Sequence, residues 1–134
     1  MPINSRSKGR NGEYEAAKWL TKVLGLDYTP ERNLEQTRDG GYDLYAPPFM
    51  VEVKRCERLE LVKWWRQVST AASLYIHVIP IVLYRPNRQK WRMLISATNI
   101  GLDKGFVTLE NGEAKKWLRM QYQAYQDGLE SGLS

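Results

Sequence analysis

Apolar residues recur at helical spacing from Gly12 to Leu24, where Ala16, Ala17, Leu20, Val23 and Leu24 share one face. Asn11 stands where an N-cap belongs and Gly25 where the helix should stop. Tyr28 to Asn33 and Tyr42 to Tyr45 predict short strands on either side of a polar loop, Glu35 to Gly41. Pro47-Pro48 then sends the chain back into a strand from Phe49 to Arg55. Side chains alternate along a strand, so Val51 and Val53 face one way while Glu52 and Lys54 face the other. Leu59 to Leu74 predicts a second helix whose Leu61, Val62, Trp65, Val68 and Ala72 cover a sheet, with one indole of Trp64-Trp65 turned inward. His77 to Tyr84 is almost continuously apolar, as in a strand covered on both faces, and Pro80 marks a bulge or an edge segment within it. Arg85-Pro86-Asn87-Arg88 reads as a basic turn into a strand from Trp91 to Ser96. Asn99 to Gly105 reads as a loop, Phe106 to Leu109 as a short strand and Gly112 as a turn before a terminal helix, Glu113 to Leu129. That helix has a face to close the core or to pack on a second subunit.

The 134 residues suffice for one domain with a real core. Residues 1–10 read as a flexible basic arm. No stretch approaches the roughly 20 apolar residues that span a bilayer, and no apolar signal segment opens the chain, so a cytoplasmic location is expected. A lone Cys56 excludes an intrachain disulfide and fits a reducing compartment. The net charge is +5, and its distribution says more than its size. From Leu61 to Leu102 there is no Asp or Glu, yet Lys63, Arg66, Arg85, Arg88, Lys90 and Arg92 all lie there. With Arg6, Lys8 and Arg10 in the arm, and Arg55 and Arg58 at the end of the third strand, this pattern suits a polyanion such as DNA. A basic surface without a partner is the plainer alternative.

The chemistry gathers at Asp43 and Glu52-Val53-Lys54. A carboxylate and an ammonium beside an apolar strand are expensive to bury, so a functional site is expected there. Two hard oxygen ligands select Mg²⁺, with Mn²⁺ as substitute, and the Val53 backbone carbonyl is a candidate third ligand. Lys54 would orient the attacking water and offset charge at the phosphate. Glu13 falls on the inner stripe of the first helix and would reach the same place directly or through water. Glu15 lies on another meridian with Trp19, and Asp39, in the polar loop, ranks well behind as a carboxylate. Gln67, on the polar side of the second helix, is a candidate accessory group. The single histidine, His77, leaves little material for a histidine-based metal cluster or a Ser/His/Asp triad and reads as structural.

The order of Glu13, Asp43 and Glu52-Val53-Lys54 closely resembles the PD-(D/E)XK nuclease superfamily, and within it the archaeal and phage Holliday-junction resolvases. Lys8-Gly9-Arg10-Asn11-Gly12-Glu13 resembles the family's opening. Glu52 to Leu59, with Trp65 and Gln67, resembles the phage branch's strand-to-helix segment, and Ile79 to Trp91 resembles its next two strands. The likeness covers roughly Lys8 to Ile95, and Tyr42 stands where the superfamily's name would place a proline. The resemblance implies an α/β, restriction-endonuclease-like core with a central mixed sheet flanked by helices. It also implies a homodimer and divalent-metal cleavage of branched DNA, in the host cytoplasm for a phage protein. Two alternatives stay open: another nuclease of the superfamily acting on linear duplex or flaps, and a non-catalytic nucleic-acid-binding domain.

Overall fold

The computed structural model describes residues 5–33 and 42–132, without the side chains of residues 5–10 and Cys56. The polar loop with Asp39, and the side chains of Arg6, Lys8 and Arg10, therefore lie outside the described residues. The chain runs α1 (Ser5–Leu24), β1 (Glu31–Arg32), β2 (Leu44–Ala46), β3 (Phe49–Cys56), α2 (Leu61–Ala72), β4 (Ile79–Pro86) and β5 (Arg92–Ser96). A 3-10 turn (Ala97–Ile100), β6 (Phe106–Leu109) and α3 (Asn111–Gly132) complete it. The six strands form one sheet in sequence order. Only β3 and β4 run parallel, because α2 carries the chain across between them; the other neighbours are antiparallel. The result is the mixed sheet with flanking helices that the resemblance implied.

Strand alternation sorts the core into two layers. Phe49, Val51, Val53, Ile81, Leu83, Met93 and Ile95 pack with α1 and with Ala114 and Leu118 of α3. The intervening Val82, Tyr84 and Leu94 pack with Trp64 and Val68 of α2, and Met50 packs with Ala71 and Ala72. Glu52 and Lys54 share the parity of Met50 and so belong to the α2 side. All four central residues of β4, Ile81 to Tyr84, are buried, as a strand covered on both faces requires. Pro80 lies beyond Val82↔Leu94, the last pair with β5, where a missing N–H breaks no ladder on that edge.

Several local readings change. α1 begins at Ser5, not Gly12, so the backbone of the basic arm from residue 5 onward is helical; its polar residues carry no apolar period that would announce a helix. The inner stripe of α2 runs through Trp64 rather than Trp65, and Val62 is 61 % exposed. His77 is exposed in the turn before β4 with φ 61, outside the core. Gly112 lies inside α3 instead of in a turn. Gly25 does end α1: its φ of 65 is left-handed, and the Leu26 N–H donates back to the Thr21 carbonyl at 3.0 Å.

Candidate active site

The sheet opens where the acidic residues meet. Pairing between β2 and β3 ends at Leu44↔Val51, yet β3 continues to Cys56. Beyond that last pair a side chain replaces the ladder: the Val53 N–H donates to Asp43 Oδ2 at 2.7 Å. A residue's N–H and C=O leave a strand on the same edge, so the Val53 carbonyl also points into this gap. Asp43 and Glu52 are the two buried charged residues among those described, each 7 % exposed.

Glu52 Oε1 lies 3.2 Å from Lys54 Nζ, while Oε2 is buried with no hydrogen-bond partner. Burial, and next the charge of Asp43, push the Glu52 carboxyl up to about 8, against the opposing pull of Lys54. Glu13 reaches the same region from α1. Its pKa is also raised, first by burial and then by Asp43, while Arg32 on β1 pairs with it and works the other way. Three carboxylates thus bear on one another through Asp43, and Lys54 and Arg32 stand at the two ends of the row.

A carboxylate cluster of this kind is what a hard divalent cation neutralises. The unpartnered Glu52 oxygen, the raised Glu52 and Glu13, and the Val53 carbonyl directed into the same gap all fit such an ion. No group of three or more His, Cys, Asp or Glu residues close enough to hold a metal by themselves occurs among the described residues. Asp43 and Glu52 with one carbonyl still suffice for an ion that keeps several waters.

The family model described as "Phage putative PDDEXK endonuclease" matches residues 4–129. The chain belongs to this family. It is therefore a PD-(D/E)XK nuclease, a hydrolase whose substrate is DNA. The match also runs past Ile95, where the likeness read from the motifs stopped, and takes in most of α3. No curated protein and no solved structure matches the chain. No helix among the described residues is long and apolar enough to cross a membrane.

The basic residues of this nuclease divide between settings. Arg55 and Arg85 share one carboxylate: Arg55 Nη1 donates to the two oxygens of Glu15 at 3.0 and 3.2 Å, and Arg85 Nη1 donates to Glu15 at 3.1 Å. Arg85 Nε further donates to the Gln89 carbonyl at 2.8 Å. Gly12 makes room for this network, since a Cβ there would stand 3.0 Å from Arg55 Cγ. Arg58, Lys63, Arg66, Arg88 and Lys90 are exposed, and Arg92 is half-buried. Lys63 stands 3.9 Å from Glu60, an exposed contact that contributes little. Gln67 is half-buried with its Oε1 unpartnered, so it is less solvated than a polar-face residue should be.

Two partnerships escaped the sequence. Arg32 sits in a two-residue strand too short to show alternation. Glu15 meets Arg55 and Arg85 across 40 and 70 residues. The one clue was the acid-free stretch, in which Arg85 has no carboxylate close by in sequence. Removing Arg32 by Arg32→Gln should move the Glu13 titration further upward, because the group that opposes burial and Asp43 is gone. A ¹³C-carboxyl NMR titration reads this directly, and an unchanged Glu13 curve would mean that the pair does not form in solution.

Proposed function

We propose that this nuclease is a metal-dependent, structure-selective endonuclease that cuts four-way DNA junctions, a Holliday-junction resolvase. The observation that carries the catalytic part is the buried Glu52 carboxyl, with one oxygen on Lys54 and its pKa raised by burial and by Asp43. Asp43, Glu52 and the Val53 carbonyl would hold Mg²⁺, or Mn²⁺ in its place, with Glu13 reaching it directly or through water. The ion, when bound, supplies Lewis-acid polarisation of the phosphate and lowers the pKa of a water.

The protein's own groups do the rest. Lys54 is an ammonium tethered to Glu52 and 28 % exposed, so it stays at the mouth of the site, where a phosphate oxygen arrives. There it orients the attacking water and offsets negative charge that grows in the transition state. The water oxygen bonds to phosphorus and gives up a proton to solvent, the bond to one strand's leaving oxygen breaks, and that oxygen takes up a proton from solvent. Asp43 holds the site open by taking the Val53 N–H that a neighbouring strand would otherwise use. Arg32 partners Glu13 and limits the repulsion between Glu13 and Asp43.

The junction preference rests on likeness to the resolvases together with exposed cations that contact phosphates without reading sequence. A homodimer belongs to the same proposal, because two copies on a two-fold axis place two sites for paired cuts. The test compares labelled four-way junctions, flaps and linear duplex with Mg²⁺ or Mn²⁺. Junctions should be cut fastest, and Lys54→Ala should slow cutting by about 10²–10³-fold, the scale for losing one preorganised charge-stabilising group. Equal rates on the three substrates would remove the resolvase assignment, and intact substrate after long incubation with either metal would remove hydrolysis itself.

A further inference from the structure

Between α1, the turn joining β4 to β5, and the start of α3 lies an open cleft of about 570 Å³. It shares no residue with the Glu13, Asp43, Glu52 and Lys54 group. Lys18, Arg85, Arg88, Lys90 and Lys115 line it against a single carboxylate, Glu15. Glu15 is already neutralised by Arg55 and Arg85. No carboxylate among the described residues pairs with Arg88, Lys90 or Lys115, and the Lys18 ammonium rests 5.1 Å from the centre of the Tyr14 ring. The indoles of Trp19 and Trp91 form apolar walls. Field lines from uncompensated cations concentrate in a concavity with such walls, which makes it attractive to an anion.

Arg88 adds a second observation. It occupies the turn after Asn87 with φ 60, a left-handed conformation in which glycine is far easier to hold. The Gln89 N–H closes the turn on the Pro86 carbonyl at 3.1 Å, and a turn with positive φ at its third residue favours glycine there, so an arginine accepts backbone strain and in return presents a cation at the cleft. On the far wall Asn111 opens α3 and donates to the Trp91 carbonyl at 3.1 Å, which ties the positive end of that helix to the start of β5.

We propose that this cleft docks the sugar-phosphate backbone of a DNA strand away from the bond being cut. The cations come from three separate elements around an open cleft, an arrangement suited to successive phosphates rather than to one small anion. The inference rests on the reading of the protein as a DNA nuclease and adds Lys18 and Lys115, two helix residues outside the basic turn, to its substrate contacts.

The test measures binding of the full chain to a labelled four-way junction and a labelled single strand by fluorescence anisotropy. Divalent metal is left out, and monovalent salt is varied. Lys18→Gln with Lys115→Gln should weaken binding about tenfold and lower the slope of log affinity against log salt by about 1–2, the value for losing two phosphate contacts. Arg88→Gly should also weaken binding, while its melting temperature stays level or rises because the strained φ is relieved. Unchanged affinity and slope in both variants would overturn the proposal. So would the finding that the variants lose binding of inorganic phosphate or a mononucleotide but keep that of the strands. The two readings fail differently. A wrong nuclease assignment shows as no cleavage with Mg²⁺ or Mn²⁺ by a parent protein whose DNA binding still depends on the cleft. A wrong cleft assignment shows as a cleaving parent whose DNA binding ignores it.

Discussion

Glu52→Gln is expected to abolish metal-dependent cleavage while raising the melting temperature of the metal-free protein at pH 8. The loss of activity follows from removing a charged oxygen donor from the centre of the site, and about 10³-fold or more is expected. The gain in stability follows from proton linkage. In the folded chain Glu52 holds its proton up to about pH 8, whereas an unfolded glutamate releases it near pH ~4.3. Between those values the folded state carries the extra proton, so raising the pH lowers stability, and the loss levels off once Glu52 is ionised in both states. Glutamine is neutral throughout and escapes this penalty, which is on the order of a few kcal/mol. Lys54 loses its carboxylate partner, but its ammonium is partly exposed and water replaces much of that contact. Thermal melts of both proteins at pH 5 and pH 8 give the answer. The curves should lie close together at pH 5 and separate at pH 8, with the variant higher. Added Mg²⁺ should raise the wild-type melt and leave the variant nearly unmoved. A wild-type protein as stable at pH 8 as at pH 5, with the variant no higher, would contradict this account of the site.

Asp43 should share this pH trend but add a structural role that Glu52 lacks, the bond to Val53. Asp43→Ala removes the acceptor of the buried Val53 N–H, a loss of about 1–3 kcal/mol, and also removes the charge that helps to raise Glu52. At pH 5 Glu52 is protonated and repulsion is silent, so the hydrogen-bond loss should appear in full. As the pH rises toward 8 the variant is spared the Asp43–Glu52 repulsion that the wild type acquires, and its deficit should shrink. Asp43→Asn keeps an oxygen for Val53 without the charge, so it should fold normally at pH 5 and exceed the wild type at pH 8. Cleavage should fall in both variants by at least about 10²-fold. Urea unfolding at the two pH values, beside a junction-cutting assay, separates the structural role of Asp43 from its catalytic one. Equal stability of the Ala and Asn variants at pH 5 would show that the bond to Val53 contributes nothing.

These two roles differ in how far they were legible in the chain. Strand alternation placed Glu52 and Lys54 on one face, and both lie on the α2 side with Met50. Helical spacing put Glu13 on the buried stripe of α1, and it does bear on Asp43. Periodicity worked there because these elements bury one face against a sheet. It misled in α2, where Trp64 and Trp65 are adjacent and either could lead the stripe; packing against Tyr84, with ring centres 5.7 Å apart, decided for Trp64. It was silent for Ser5 to Asn11, a polar segment whose helical backbone continues the turn geometry of the apolar part. Charge counting assigned Arg55 and Arg85 to DNA, and a count cannot show that the two also share Glu15.

The amino-acid sequence by itself determined most of the elements and their order, and pointed to Glu13, Asp43, Glu52 and Lys54 as one candidate site. Those follow from local periodicity and from residue types whose chemistry few other settings tolerate. Only the tertiary structure decided that β2 leaves β3 after Val51, so that Asp43 serves as a substitute strand partner, and that Glu52 is buried within reach of Asp43 and Lys54. It alone decided which cations pair with Glu15 and which line the cleft beside α3. The reason is physical. Burial, desolvation and ion pairing depend on distances between residues far apart in the chain, and no local pattern encodes those distances.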